Sequence, residues 1–289
     1  MSEVVSDREL DVSAILTSGQ VFRFGNPSWS DSWCGVDGSN VIEATRDEGG
    51  WRLSSRPDGS AYKRLFRLEC DMAKIRRAIG QADPRFRPML KRNPGLRVIH
   101  CSRADETLFS FLCTANNHLP RITRMVRCLA ALGAEIEPGM FVFPEPPLIA
   151  AVPEKDLRML GFGYRAGSIA ACARVLSTRG VGWLEGLREG SYADAHAALC
   201  ELPGVGPKIA DCVCLFGLHF DEAVPLDVHL WRAAAQLYEP ELVGTAITPQ
   251  RYRRVSTTFR DIFGIHAGWA QQFLFYEAVS AKYRAESTY

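Results

Sequence analysis

The 289-residue sequence predicts an α+β protein, with an N-terminal antiparallel β domain at 1–98 followed by an all-helical domain at 99–289. Three observations carry that expectation. Short β-branched and aromatic runs at 21–24, 33–36, 41–45 and 51–54 are separated by turn signals, among them Asp37-Gly38 and Gly49-Gly50. Near residue 100 the hydrophobic period changes to that of helices. Farther on, Gly204-Val205-Gly206 interrupts a helical pattern that resumes at once, so a helix-hairpin-helix is expected over about 192–218.

Taken in order, the four runs form a meander, and helices follow at 60–70 and 71–80 before a Pro- and Arg-rich connector at 83–95. Ile122, Met125, Val126, Leu129 and Leu132 fall at i, i+3, i+4, i+7 and i+10, the stripe of an amphipathic helix. Arg121, Arg124 and Arg127 project from its other faces, and Gly133 supplies a stop. Further helices are expected at 154–160, 166–178, 192–201, 208–218, 228–238, 249–263 and 269–283.

Composition removes several classes of function. The chain is 47% hydrophobic and 23% charged, and no apolar run approaches the roughly 18 to 20 residues that span a bilayer. The first residues lack the pattern of a signal peptide, so the expected compartment is intracellular, cytoplasm and nucleoid in a prokaryote or nucleus in a eukaryote. Lys and Arg number 34 against 33 acidic residues, so any nucleic-acid footprint must be local. The nine cysteines are scattered through apolar stretches without zinc or iron-sulfur spacing, and read as reduced core thiols with no metal site.

The segment richest in chemistry is Leu202-Pro-Gly204-Val-Gly206-Pro207-Lys208. Gly204 and Gly206 allow a tight turn and close backbone approach, and the free N–H groups at the start of the next helix form an anion site. Such a site grips a DNA phosphate without reading sequence. Downstream, Val224-Pro-Leu-Asp227 puts a carboxylate at the N-cap of another helix. Asp227 alone reads as a cap, and Lys208 alone as a solvated first-turn residue. A lysine there, however, faces the positive end of the helix dipole, which favours its neutral, nucleophilic form. Beside a carboxylate that can accept its proton or stabilise a developing sugar cation, the amine suits chemistry at a deoxyribose carbon.

The hairpin, Gly-Val-Gly-Pro-Lys and the downstream Val-Pro-Leu-Asp resemble the helix-hairpin-helix DNA glycosylase superfamily, and the fuller run through Cys212-Val-Cys214 resembles its 8-oxoguanine branch. The resemblance extends in order through Ser18-Gly19-Gln20-Val-Phe22-Arg23, Asn116-Asn117 with Arg121-Ile122, Gly161-Phe-Gly-Tyr164-Arg165-Ala166, and Gly268-Trp-Ala-Gln271 with Phe275. It implies that Lys208 attacks C1′, expels the base and forms a Schiff base whose β-elimination nicks the strand, with Asp227 assisting. The damaged base must leave the stack to be reached.

By the same resemblance, Phe275 and Cys212 flank the extruded base, Gln271 meets its Watson-Crick edge, and Gly19 offers a backbone carbonyl. 8-Oxoguanine carries N7–H where guanine carries a lone pair, and leaving that carbonyl unpaired costs roughly 1 to 3 kcal/mol. Asn116, Arg121 and Arg165 are implied contacts of the orphaned cytosine, with Tyr164 wedged into the vacated stack. Gly204, Gly206 and His229 belong to the DNA-contacting set. Implied partners are double-stranded DNA containing oxidised guanine and no membrane, the chain acting as a monomer. No cofactor is required, and a monovalent cation at the hairpin is the one bound ion the resemblance allows.

Taken singly, each residue has a plainer reading: Phe275 as core, Cys212 and Cys214 as buried thiols, Asn116 and Asn117 as caps, Arg121 and Arg165 as solvated side chains. Their joint order outweighs those readings. The sequence departs from the family pattern at His118, where a third asparagine is usual, at Ala278, where an acid is usual, and at Phe216, where a smaller or more flexible residue is usual. Two other readings are a glycosylase that uses water, which has no need of Lys208, and a non-catalytic hairpin module, which has no need of Asp227 or Gln271.

Overall fold

The computed structural model describes residues 3–25, 32–180 and 182–286. Its sheet is four-stranded and antiparallel, in the order β1 (Glu3–Ser6), β4 (Gly50–Arg56), β3 (Asn40–Asp47), β2 (Ser32–Asp37). Both turn signals act as expected. Asp37 pairs with Asn40 around Gly38, and Asp47 with Gly50 around Gly49, the two glycines taking φ of +61° and +82°. Val5, Ile42, Ala44, Trp51 and Leu53 face the core.

The expectation of a strand at 21–24 is corrected. This segment pairs with the sheet only at Gly25, opposite Cys34, and the fourth strand is instead β1, whose polar flanks hide it in the sequence. Side chains take over the role of ladder bonds around this segment. Gln20 donates to the Arg97 carbonyl (3.0 Å) and accepts from the Ile99 N–H (3.1 Å), while Arg23 donates to the carbonyls of Phe141 and Val36.

Helix α1 (Val12–Thr17) is capped by Asp11 and leads into Ser18-Gly19. The helix expected at 60–70 is shorter, α2 (Ala61–Leu65), because Arg67 takes a left-handed φ of +53°. After α3 (Met72–Ala82), the connector expected at 83–95 holds a tight turn at Pro84–Phe86 and a short helix, α4 (Arg87–Arg92). Helix α5 (Ala104–Leu112) shows no amphipathic stripe in the sequence because its last six residues are all buried. The striped helix is α6 (Leu119–Ala130), followed by a two-stranded hairpin, β5 (Glu135–Glu137) and β6 (Met140–Phe141).

Helices α7 (Pro146–Ala150) and α8 (Glu154–Leu157) precede a wide turn at Arg158–Phe162, which is bent at Gly161. Then come α9 (Arg165–Arg179), α10 (Trp183–Gly186) and α11 (Tyr192–Cys200). The hairpin leads into α12 (Pro207–Cys212), which widens at Val213–Gly217, and is followed by α13 (Val228–Tyr238), α14 (Pro249–Phe263) and α15 (Ala267–Glu286).

A polar junction ties residues near 67 and 100 to residues near 220 and 269. Arg67, 6% exposed, grips Asp221 through two hydrogen bonds of 2.6 and 2.7 Å. The Arg67 guanidinium also lies 4.6 Å from the Trp269 ring, whose Nε1–H donates to Asp221 at 3.1 Å. His100 and His219 stack with ring centroids 3.7 Å apart. Burial pushes the Asp221 carboxyl up, yet the His100 ring 3.7 Å away and the hydrogen bonds and charge of Arg67 outweigh it and hold the group well below the usual carboxylate range. Burial lowers His219 to about 3, and the neighbouring His100 adds to that shift.

Candidate active site

Lys208 stands in the first turn of α12, behind Gly206 at the N-cap and Pro207 at the first helical position. Its chain crosses the face of Phe111, with Nζ 5.0 Å from the ring centroid, and Nζ donates to Thr114 Oγ1 at 3.4 Å. The lysine is half-buried rather than splayed into solvent. It lines a cleft of about 910 Å³ together with Gly19, Asn116, Asp227, His229 and Phe275. Asp227 caps α13, its Oδ1 accepting the Leu230 N–H at 2.8 Å, which leaves Oδ2 without a hydrogen-bond partner among the described residues. Among those residues no ion pair joins Lys208 to Asp227, so an amine and a carboxyl group share one cavity without pairing.

Cys212 lies one turn beyond Lys208 and is 2% exposed. Burial pushes its thiol up to about 11, against the pull of the Lys208 charge, so it is a neutral thiol at physiological pH, and it does not itself line the cleft. Gly19 takes φ of +75°, the left-handed region that favours glycine. The adjoining Ser18 hydroxyl receives both Gln20 Nε2 (3.1 Å) and Gln272 Nε2 (3.2 Å). Gln272 Oε1 in turn accepts from Gln271 Nε2 at 3.3 Å. This chain of amides fixes the Gly19 turn against α15. Gln271 is buried and does not line the cleft, whereas Phe275, one turn later, does.

At the other rim Asn116 takes φ of +45°, which asparagine tolerates better than most residues. Arg165, 3% exposed, donates through Nε to the Ala115 carbonyl (2.9 Å) and through Nη2 to the Asn116 carbonyl (2.8 Å). Tyr164 is 59% exposed, its hydroxyl donates to the Ala115 carbonyl at 2.9 Å, and the Arg165 guanidinium packs 4.5 Å from its ring. Arg121 lines an adjoining hollow with Arg124 and Met159, its Nη2 donating to the Gly161 carbonyl at 3.0 Å. Tyr164 and Arg165 therefore gather at the Ala115–Asn116 backbone, while Arg121 stands in the neighbouring hollow.

The two hairpin glycines differ. Gly204 needs its φ of +80°, and a Cβ there would sit 2.5 Å from the Ser168 side chain. Gly206 has an ordinary φ of −100° and open space where a Cβ would point, so its lack of a side chain leaves an unobstructed approach to the helix start.

Residues absent from the expected set also shape the cleft. Phe111, Thr114, Phe22 and Tyr252 line it, and the first two hold the Lys208 side chain. The sequence signal for Phe111 was the run Phe109-Ser-Phe111, concealed by the uniform burial of α5.

No family model matches the chain. Among curated proteins, the N-glycosylase/DNA lyase OGG1 of Arabidopsis thaliana is 34% identical over 291 residues, covering 95% of this chain and 79% of the relative. The chain belongs to the N-glycosylase/DNA lyase family. A second member, the N-glycosylase/DNA lyase of Saccharomyces cerevisiae, is 35% identical over 212 residues, covering 63% of this chain and 56% of the yeast protein.

Solved structures agree on the architecture. MBOgg1 in complex with a low-affinity DNA ligand has a TM-score of 0.84 at 26% identity, with 98% of this chain and 99% of that one covered. Clostridium acetobutylicum 8-oxoguanine glycosylase/lyase, in complex with double-stranded DNA containing cytosine opposite 8-oxoG, reaches the same TM-score at 23% identity, with 98% of each chain covered, and speaks for the fold alone. The α+β expectation and the family resemblance both hold. No helix among the described residues is long and apolar enough to cross a membrane.

Proposed function

We propose that this protein is a bifunctional DNA glycosylase of base excision repair that removes 8-oxoguanine opposite cytosine from double-stranded DNA and then nicks the strand. The observation that carries this reading is the half-buried Lys208 amine in one cleft with the Asp227 carboxylate, beside Gly19 and Phe275 and at the foot of the hairpin. Membership of the N-glycosylase/DNA lyase family supports it.

The arrangement suits attack by a neutral amine. Lys208 Nζ bonds to C1′ as the glycosidic bond breaks, and the departing base takes the electron pair and a proton. O4′ then takes up a proton as the C1′–O4′ bond opens, and the nitrogen lone pair forms a protonated Schiff base with C1′. Loss of a C2′ proton expels the 3′ phosphate, and water later releases the lysine. Asp227, uncommitted at Oδ2, faces the positive charge that develops on the sugar. The Phe275 ring covers one face of an extruded base and Cys212 the other, the Gly19 carbonyl accepts the lesion's N7–H, and Gln271 meets the Watson-Crick edge. Asn116, Arg121 and Arg165 read the orphaned cytosine, Tyr164 fills the gap, and Gly204, Gly206 and His229 meet the backbone.

We read the chemistry as needing no cofactor. A monovalent cation at the hairpin would add only to the phosphate grip, the chain would act as a monomer, and it would work wherever the cell keeps its chromosomal DNA. Borohydride added during reaction with an 8-oxoguanine:cytosine duplex is expected to trap a covalent adduct that Lys208→Gln abolishes. Base release with no adduct in the unaltered protein would overturn the amine mechanism. Asp227→Asn is expected to keep duplex affinity and slow excision about 100-fold.

A further inference from the structure

Behind the cleft floor, three residues along α12 from Lys208, Asp211 is completely buried. Its carboxylate accepts one hydrogen bond from the Tyr192 hydroxyl (2.5 Å) and one from the Tyr252 hydroxyl (2.6 Å), and His196 Nε2 stands 3.9 Å away. Tyr252 comes from α14 and is 5% exposed. Its oxygen accepts the N–H of Leu226 at 3.0 Å and lies 3.2 Å from the Val224 carbonyl. A phenol has a single hydrogen, and the shorter contact to a carboxylate takes it. One hydroxyl thus connects the helix that carries Lys208 to the residue immediately before Asp227. No backbone hydrogen bond among the described residues joins α12 to Val224 or Leu226.

We propose that Tyr252 is a positioning residue, its hydroxyl bridging Asp211 to the Leu226 N–H and so setting how the Lys208 amine and the Asp227 carboxylate face each other. This rests on the reading of those two residues given above. A small displacement of a reacting group costs rate much more than affinity, so the bridge acts on the chemical step rather than on DNA binding. Buried aromatic packing alone would not make that distinction, because Tyr252→Phe keeps the ring and removes only the bridging oxygen.

The test compares unaltered protein, Tyr252→Phe and Lys208→Gln. Single-turnover base release at saturating enzyme is normalised to the active fraction, counted by trapping on abasic DNA. Tyr252→Phe is expected to slow release about tenfold while the dissociation constant for a duplex with a tetrahydrofuran abasic analogue shifts less than twofold. Release at the unaltered rate, or a loss confined to affinity, would overturn the proposal. Lys208→Gln separates the two levels: an adduct that persists in it indicts the site assignment, whereas its loss beside a fully active Tyr252→Phe indicts the bridge alone. Hydrogen exchange on the unaltered protein covers the case in which Tyr252→Phe does not fold. The Leu226 amide should be protected like the interior of α13, and exchange at the rate of an open loop would equally overturn the proposal.

Discussion

The cleft and the Arg67–Asp221 junction each gather a basic side chain and an acidic one from distant parts of the chain, and they treat the two groups in opposite ways. At the junction the ions meet with two hydrogen bonds, Trp269 donates a third to Asp221, and the His100 ring stands 3.7 Å away. In the cleft Lys208 rests on an aromatic face and reaches only a hydroxyl at 3.4 Å, while Asp227 uses one oxygen as a cap. Two ions joined by direct hydrogen bonds resist change, whereas two groups held apart are available for chemistry. The junction holds the scaffold and the cleft keeps its reactivity.

The largest expected effect breaks chemistry without touching the scaffold. Lys208→Gln should lower base release by at least about 10³-fold while the melting temperature stays within about 2 °C. Asp221→Asn should do the reverse, stranding the buried Arg67 charge at a cost of about 3 kcal/mol and lowering the melting temperature by roughly 10 °C. The trapped adduct per folded molecule should be unchanged. Calorimetry beside trapping reads both variants, and a fall in Lys208→Gln stability as large as that of Asp221→Asn would erase the contrast.

Acidity sharpens the comparison. His219 is lowered by burial to about 3 in the folded chain from an ordinary 6.5, so the unfolded chain binds its proton first and stability falls as pH drops from 6.5 toward 3. Asp221, held low, extends that loss to more acidic solution. Behind the cleft the sign reverses. Glu106, paired with Arg23 at 2.7 Å next to Phe22, is pushed up by burial to about 7 from 4.5, so its contribution is present below pH 4.5 and is lost as pH rises to 7. His219→Asn, which tolerates the left-handed φ of +69° there, should reduce the acid-side fall in melting temperature by roughly 5 °C. Glu106→Gln should remove the opposing decline between pH 4.5 and 7. Parallel slopes in all three proteins would refute both assignments.

The smallest effect concerns the rim. Asn116→Ala places an alanine at φ of +45°, which costs about 1 kcal/mol of backbone strain, and removes the side chain expected to read cytosine. Excision opposite cytosine should lose several-fold of its advantage over excision opposite adenine, measured in paired duplexes.

Much of this was legible before any coordinates. Asp37-Gly38 and Gly49-Gly50 announced both sheet turns, and the Ile122-to-Leu129 stripe announced α6, because glycine and a 3.6-residue period are local signals. The first-turn place of Lys208 and the cap at Asp227 were equally local. What stayed hidden depends on distant partners. Phe22 and Phe24 alternate like a strand, yet Gln20 and Arg23 hold their segment to Arg97, Ile99 and Phe141. The left-handed turn of Arg67, which ends α2, belongs to a residue whose partner is Asp221, and nothing near either residue foretells it. The relay from Gln271 through Gln272 to Ser18, which fixes the Gly19 turn, likewise follows from partners no linear pattern encodes.

The contact between Gly204 and Ser168 has a mechanical consequence. Ser168 lies three residues after Arg165 on the same helix, so the hairpin and the Asn116 rim meet with no room for even a methyl group between Gly204 and Ser168. Surfaces in such close apposition shift together, so a displacement of the hairpin would carry the start of α9 with it, and any side chain at position 204 would force the two apart.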